Sequence, residues 1–257
     1  MIEFETADEV MVWTLSHGKA NALDLEFLEQ ISDRLEQVRT SAARALVITG
    51  RDRIFCAGVD LVRLLDSGPD YVRRFGPALN RTLLSLATFP KPVVCAANGH
   101  AIAGGAVLLF AGDLRLMVPA GARIGVPELA VGVPFPTVAM ELVRLVTSRA
   151  HVGAALWEAR TYAPEDAKAL GWIDELAPAD GLRARAIARA RDLAAIPAET
   201  FRLTKEHLRR GLVDFVNGPG ATLDRRIQAA WESAEVLGAV RRYVDRTLRK
   251  PGTGKVD

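Results

Sequence analysis

What this chain of 257 residues has little of narrows its function early. It has two cysteines, Cys56 and Cys95, whose separation fits neither a metal-ligand pair nor a redox motif. Both fall at strand-to-turn positions, so a buried free thiol is the first reading of each, ahead of a disulfide or a nucleophile. The four histidines, His17, His100, His151 and His207, never stand at metal-ligand spacing, and no metal site is expected. No apolar run reaches the roughly 18 to 20 residues that a membrane helix needs. Charge of one sign is missing too: 33 basic residues stand against 31 acidic ones, a net +2 that leaves no footprint for nucleic acid. The G-x-S-x-G elbow of serine hydrolases, the G-x-G-x-x-G dinucleotide fingerprint and the P-loop are all absent. The N-terminal stretch MIEFETADEVMVWTL is acidic and alternating, unlike a secretory or transit peptide, which predicts a soluble cytoplasmic protein with no membrane contact.

What is present predicts an α/β fold with a sizeable core, given 49% hydrophobic residues. Residues 2–6 and 10–16 alternate as a hairpin of half-buried strands. Apolar positions at helical spacing from Leu25 to Val38 predict a helix over 24–40, with Asp24 as its N-cap. A strand follows at 45–49, then helices at 60–66 and 71–87, separated by the breakers Ser67-Gly68-Pro69. The apolar residues of this middle segment either line a ligand pocket or belong to the core. Strands at 93–95, 113–117 and 122–125 continue an alternation that implies right-handed βαβ crossovers. From Pro136 onward the pattern is mostly helical, at 137–147, 149–157, 164–170, 179–194, 199–210 and 223–248, with one strand at 172–176. The tail 250–254 reads as disordered.

The stretch around which the rest is organised runs from Lys91 to Asp113, KPVVCAANGHAIAGGAVLLFAGD. A β-branched run leads through small residues into an apolar helix, so the turn exposes the unpaired N–H groups of a helix start. Gly104 and Gly105 carry no side chain to keep a ligand oxygen away. With nucleotide motifs absent, the remaining use of such a turn is an oxyanion hole, which needs two converging donors. A second strand-to-turn stretch, IFCAGVDL from Ile54 to Leu61, can supply the other.

These two motifs, F-C-A-G-V-D-L and N-G-H-A-I-A-G-G-A, resemble those of the enoyl-CoA hydratase/isomerase, or crotonase, family, and the resemblance extends over nearly the whole chain. It implies a crotonase-like spiral of βαβ units over 1–195 that carries an acyl-CoA site. A helical region over 196–257 would then mediate homotrimers, often paired into hexamers. An acyl-CoA substrate is implied, and no cofactor beyond its coenzyme A moiety.

Carried over position by position, the resemblance makes the N–H groups of Val59 and Gly104 the oxyanion donors and Glu128, in G-V-P-E-L, the catalytic base. Ala57, Gly58, Asp60 and Leu61 of the first turn, and Lys19, Ala20 and Ala22 of the K-A-N-A-L loop, would border the coenzyme. A solvated Lys19 beside a helix cap is the plain alternative, and Asp60 reads better as a brace for its loop than as a reactive group. His100 is either structural or a neighbour of the coenzyme. Tyr243 and Arg246 resemble the aromatic and basic pair with which one subunit's last helix covers the next subunit's coenzyme. A solvated basic face with Arg241, Arg242, Arg249 and Lys250 is the equal alternative.

Hydratases of the family use two glutamates, whereas here the first position is Val107 and only Glu128 remains. One carboxylate suffices to move a proton between two carbons, so the resemblance points to an enoyl-CoA isomerase. Gly132-Val133-Pro134-Phe135-Pro136 agrees, being similar to the Pro-Phe turn of the family's mitochondrial-type isomerases. A hydratase or another enolate-forming lyase, with a second acid such as Glu141 or Asp66, is the enzymatic alternative. A non-catalytic acyl-CoA-binding homologue is the other.

Overall fold

The protein is seen in a computed structural model that describes residues 1–248; the expected disordered tail and the basic residues Arg249 and Lys250 lie outside the described residues. β1 (Ile2–Ala7) and β2 (Val10–Leu15) form the expected hairpin, with Ile2 opposite Leu15 and Ala7 opposite Val10. β1 is less buried than its alternation predicts. It is the edge strand, and Phe4, 54% exposed, is instead covered by the Arg34 guanidinium at 4.6 Å.

α1 (Leu25–Thr40) starts where the capping pattern places it: the Asp24 carboxylate accepts from the Phe27 N–H at 2.8 Å. Then come β3 (Ala45–Thr49), β4 (Ile54–Cys56), α2 (Leu61–Ala87), β5 (Val93–Ala97), β6 (His100–Ile102), α3 (Gly104–Phe110), β7 (Leu114–Met117) and β8 (Ile124–Gly125). The two predicted helices of the middle segment run together as α2, broken at Gly68, whose φ of 76° is non-helical. The chain continues with α4 (Glu128–Val131), α5 (Thr137–Val146), α6 (Val152–Trp157), β9 (Thr161–Tyr162), α7 (Pro164–Ala169), β10 (Glu175–Leu176), α8 (Leu182–Ala194), α9 (Ala198–Asn217), α10 (Pro219–Glu232) and α11 (Ala234–Thr247).

Two sheets result. The larger has the order β1-β2-β3-β5-β7-β10 and is parallel from β2 onward; the smaller has the order β4-β6-β8-β9. β3 and β5 are buried along their whole length, as central parallel strands covered on both faces must be, which is why they read as continuous apolar runs. Of the smaller sheet only β8 falls within an expected strand, at 122–125; the others escape the sequence pattern because they span two or three residues, too few for a period to show.

Three expectations need correction. The strand over 172–176 shrinks to β10, because Trp172 turns into the core and its indole N–H donates to the Thr147 hydroxyl at 2.7 Å. β9 was not expected at all. The helix over 223–248 is two helices: Ser233 is extended (ψ 148°), and its hydroxyl caps α11 through the Val236 N–H.

α10 packs against α2 and α5, and α11 against α2 and α4, so the last helices return over their own chain. Asp224 on α10 fixes this return by accepting from both the N–H and the hydroxyl of Thr137 at the start of α5. α9 is anchored differently: Lys205 Nζ donates to Asp113 Oδ2 at 2.7 Å, and Arg209 donates to the Gly112 carbonyl at 3.2 Å. Among the described residues no helix is long and apolar enough to cross a membrane.

Candidate active site

Two backbone turns, one after each short parallel strand β4 and β6, are brought into contact. In the first, Gly58 has φ 89°, and a side chain there would come within 2.7 Å of the Ile102 carbonyl oxygen and 3.2 Å of the Gly104 nitrogen. In the second, Ala103 has φ 52°, a conformation that strains a non-glycine residue by about 1 to 3 kcal/mol. Ala103 thereby turns the chain from β6 into α3 and leaves Gly104 as the first helical residue. A Cβ built on Gly104 would lie 3.7 Å from Val59 Cγ2, so the Val59 and Gly104 positions adjoin. Gly105 meets the first turn's strand even more closely, since a Cβ there would stand 2.1 Å from the Cys56 carbonyl oxygen. Among the described residues neither the Val59 nor the Gly104 N–H donates a hydrogen bond within the protein.

The first turn is stitched to the loop that precedes α1. Leu23 N–H donates to the Gly58 carbonyl at 2.7 Å, Asp60 N–H to the Leu23 carbonyl at 2.9 Å, and Ala57 N–H to the Ala20 carbonyl at 3.0 Å. Asn21, buried and with φ 51°, donates from Nδ2 to the Phe55 carbonyl, while the Cys56 thiol donates to the Asn21 carbonyl, both at 3.0 Å. Burial pushes that thiol up to about 12, so Cys56 is the buried, unreactive thiol expected of it. Cys95 is likewise buried and free.

Below the two turns lies a cavity of about 410 Å³, bordered by Ala20, Ala22, Ala57, Val59, Asp60, Leu61, Gly104, Glu128 and Tyr243 from the sequence-derived set. Gly58 touches the second turn but does not line the cavity. Lys19 and Arg246 are exposed and outside its wall, with the Arg246 guanidinium 5.9 Å from the Tyr243 ring. Tyr243 lines the cavity of its own chain. His100 accepts from the Arg123 N–H at 3.1 Å and is not on the wall.

Glu128 reaches the cavity from the start of α4, directly after β8 and Pro127. It is 8% exposed, and its Oε2 has no hydrogen-bond partner among the described residues. Burial without a compensating cation pushes its carboxyl up to about 8. The other acid on the wall, Asp60, accepts from the Arg63 N–H at 2.8 Å and caps α2. Val107 lines the same cavity one helical turn beyond Gly104. Glu141 and Asp66, the candidate second acids, are not on the wall, and Glu141 pairs with Arg144 at 2.6 Å. Two free N–H donors and one proton-accepting carboxylate in an apolar chamber can hold a developing oxyanion and move a proton.

Leu79, Leu83, Val131, Val133 and Trp231 also line the chamber and were not assigned to it from the sequence. Leu79 and Leu83 belong to the middle segment, whose apolar residues the sequence assigns equally to a pocket or to the core, and they line the pocket. Trp231 carries no signal, because its place on the wall is set by the long-range bonds of Asp224 and Gln228 that dock α10 on α5 and α2.

The family model for enoyl-CoA hydratase/isomerase matches residues 5–247. The chain is 34% identical to a putative enoyl-CoA hydratase of Thermus thermophilus, over 81% of this chain and 83% of that one. Among solved structures, a probable enoyl-CoA hydratase of Mycobacterium tuberculosis superposes with a TM-score of 0.77 at 30% identity, covering 95% of this chain and 93% of that one. The human mitochondrial delta3-delta2-enoyl-CoA isomerase reaches a TM-score of 0.89 at 22% identity over 95% and 97% of the two chains, a likeness of fold. The names divide between hydration and isomerisation, while the match runs through both turns, Glu128 and the returning helices: this chain is a crotonase-fold member of the enoyl-CoA hydratase/isomerase family.

Proposed function

We infer that the protein is an enoyl-CoA isomerase that shifts a C=C bond of an acyl thioester by one shuttled proton. One observation carries the reading: among the described residues Glu128 is the cavity acid with a buried, unpartnered oxygen, and Val107 stands where a second glutamate would serve hydration. The thioester oxygen would sit between the Val59 and Gly104 N–H groups, which are fixed in advance and stabilise it most as it becomes an enolate. Glu128 in its ionised form would remove a proton from the α-carbon and return it two carbons away. Its raised basicity suits that task, since a base near working pH takes and gives the proton with little penalty. Lys19 at the mouth would meet the nucleotide end of coenzyme A. Assembly into homotrimers or pairs of trimers fits the exposed Leu203 (50%) and Leu208 (66%) on α9.

The test is NMR of a 3-enoyl-CoA and a 2-enoyl-CoA, each incubated with the protein in deuterated water. Interconversion without a 3-hydroxyacyl product is the expected result. A hydroxyacyl product would overturn the single-base reading in favour of hydration. Bound but unchanged thioesters would point instead to a non-catalytic binding homologue.

A further inference from the structure

A second cavity, of about 510 Å³, adjoins the first between α2 and α10. Leu79, Pro136 and Trp231 line both chambers. We propose that these three residues are a partition, with the Trp231 ring as its decisive panel, that limits the acyl chain to short and medium lengths. The proposal rests on the acyl-CoA reading of the first chamber.

The panel is held on several sides. The Trp231 indole N–H donates to the Pro134 carbonyl at 3.0 Å, which gives the ring one orientation, and the side chain is 8% exposed. Its helix is fixed to α5 through Asp224 and Thr137, and to α2 through Gln228 Nε2, which donates to the Val72 carbonyl at 3.1 Å. Leu79 on the facing helix is 4% exposed. An acyl tail growing away from the two turns buries methylenes until it meets this wall. Beyond the wall, Val72, Phe75, Val216 and Ile227 offer an apolar lining that the tail can use only if the ring is gone. Each methylene buried strengthens binding about fourfold, so the wall should appear as a break in a length series.

Binding is measured by calorimetry with saturated acyl-CoA thioesters from butanoyl to hexadecanoyl, on the intact protein. In the wild type, affinity rises about fourfold per methylene and then stops at a definite length. Trp231→Ala carries the rise through longer chains, and Trp231→Phe, which keeps a ring, retains the wild-type stop. In the Trp231→Ala background, Ala221→Trp refills the far chamber and restores the stop, which a merely loosened fold would not do. A break at the same length in Trp231→Ala, or no break in the wild type, overturns the partition. Saturated thioesters require no turnover, so failure of the isomerase reaction is scored separately. Absence of binding at every length would overturn the partition and the acyl-CoA reading together.

Discussion

Two acidic residues in the interior are treated in opposite ways. Asp113, at the end of the turn into β7, accepts from Lys205 Nζ at 2.7 Å and from the Val93 N–H at 2.9 Å, with Arg209 at 3.8 Å. It thus ties α9 to the central strands by satisfying a charge. Glu128 is as deeply placed yet has an oxygen with no partner and no cation beside it. The pairing of Asp113 marks a structural role. The isolation of Glu128 leaves it without the partner that would hold it ionised, and acids buried in this way cluster where chemistry needs an altered basicity.

The contrast breaks most visibly at Glu128. Glu128→Gln should lower kcat about a hundred- to ten-thousandfold with thioester affinity nearly retained, measured by steady-state turnover and calorimetry. The same change should stabilise the fold as pH rises. The folded carboxyl titrates at about 8 against 4.5 for an ordinary one, so the wild type's stability from this group is complete below about pH 4.5 and is lost as pH climbs through about 8. At about 1.4 kcal/mol for each pH unit between those two values, the gap between variant and wild type grows to a few kcal/mol, read from denaturant melts at acidic and alkaline pH. The turnover of the wild type should rise over the same interval, as the base ionises. A gap that does not widen with pH would show that Glu128 is not buried as an acid.

At Asp113 the sign reverses. Asp113→Ala leaves Lys205 and Arg209 buried without their carboxylate and should destabilise by about 3 to 5 kcal/mol, measured by urea unfolding. A neutral result would mean that the cluster adds nothing to the docking of α9. The smallest effect is expected at Asp60, an acid on the chamber wall that is nevertheless partnered. Asp60→Ala should lose about 1 kcal/mol of stability with the cap and reduce kcat far less than Glu128→Gln does. An equal fall in kcat would make Asp60 a second acid and turn the reading toward hydration.

Much of this was legible in residue order. The apolar runs of β3 and β5, the Asp24 cap and the breakers at Gly68-Pro69 are local signals, and the structure follows them. The wall positions Ala57, Val59, Gly104 and Glu128 are legible because three short motifs carry them. Illegible were features set by tertiary placement. Apart from β8, the small sheet is made by strands too short to announce themselves. The return of α10 is set at the non-helical Gly218, and the direction of α11 at one extended residue, Ser233, within an otherwise helical stretch. The place of Trp231 on the wall follows from that return, so no motif names it.

The contact between Gly58 and Gly104 joins two turns that are far apart along the chain. α2 lies between them in sequence, and the pairing of β4 with β6 in the small sheet brings them together. Neither turn holds its partner's donor locally, and closing so long a loop carries an entropic penalty that only docking of the two units repays. The nearness of the Val59 and Gly104 N–H groups is therefore a property of the docked units and of neither turn alone. A chain in which the two units come apart keeps each turn and loses the pair, so the geometry on which the proposed reaction rests exists only in the assembled fold.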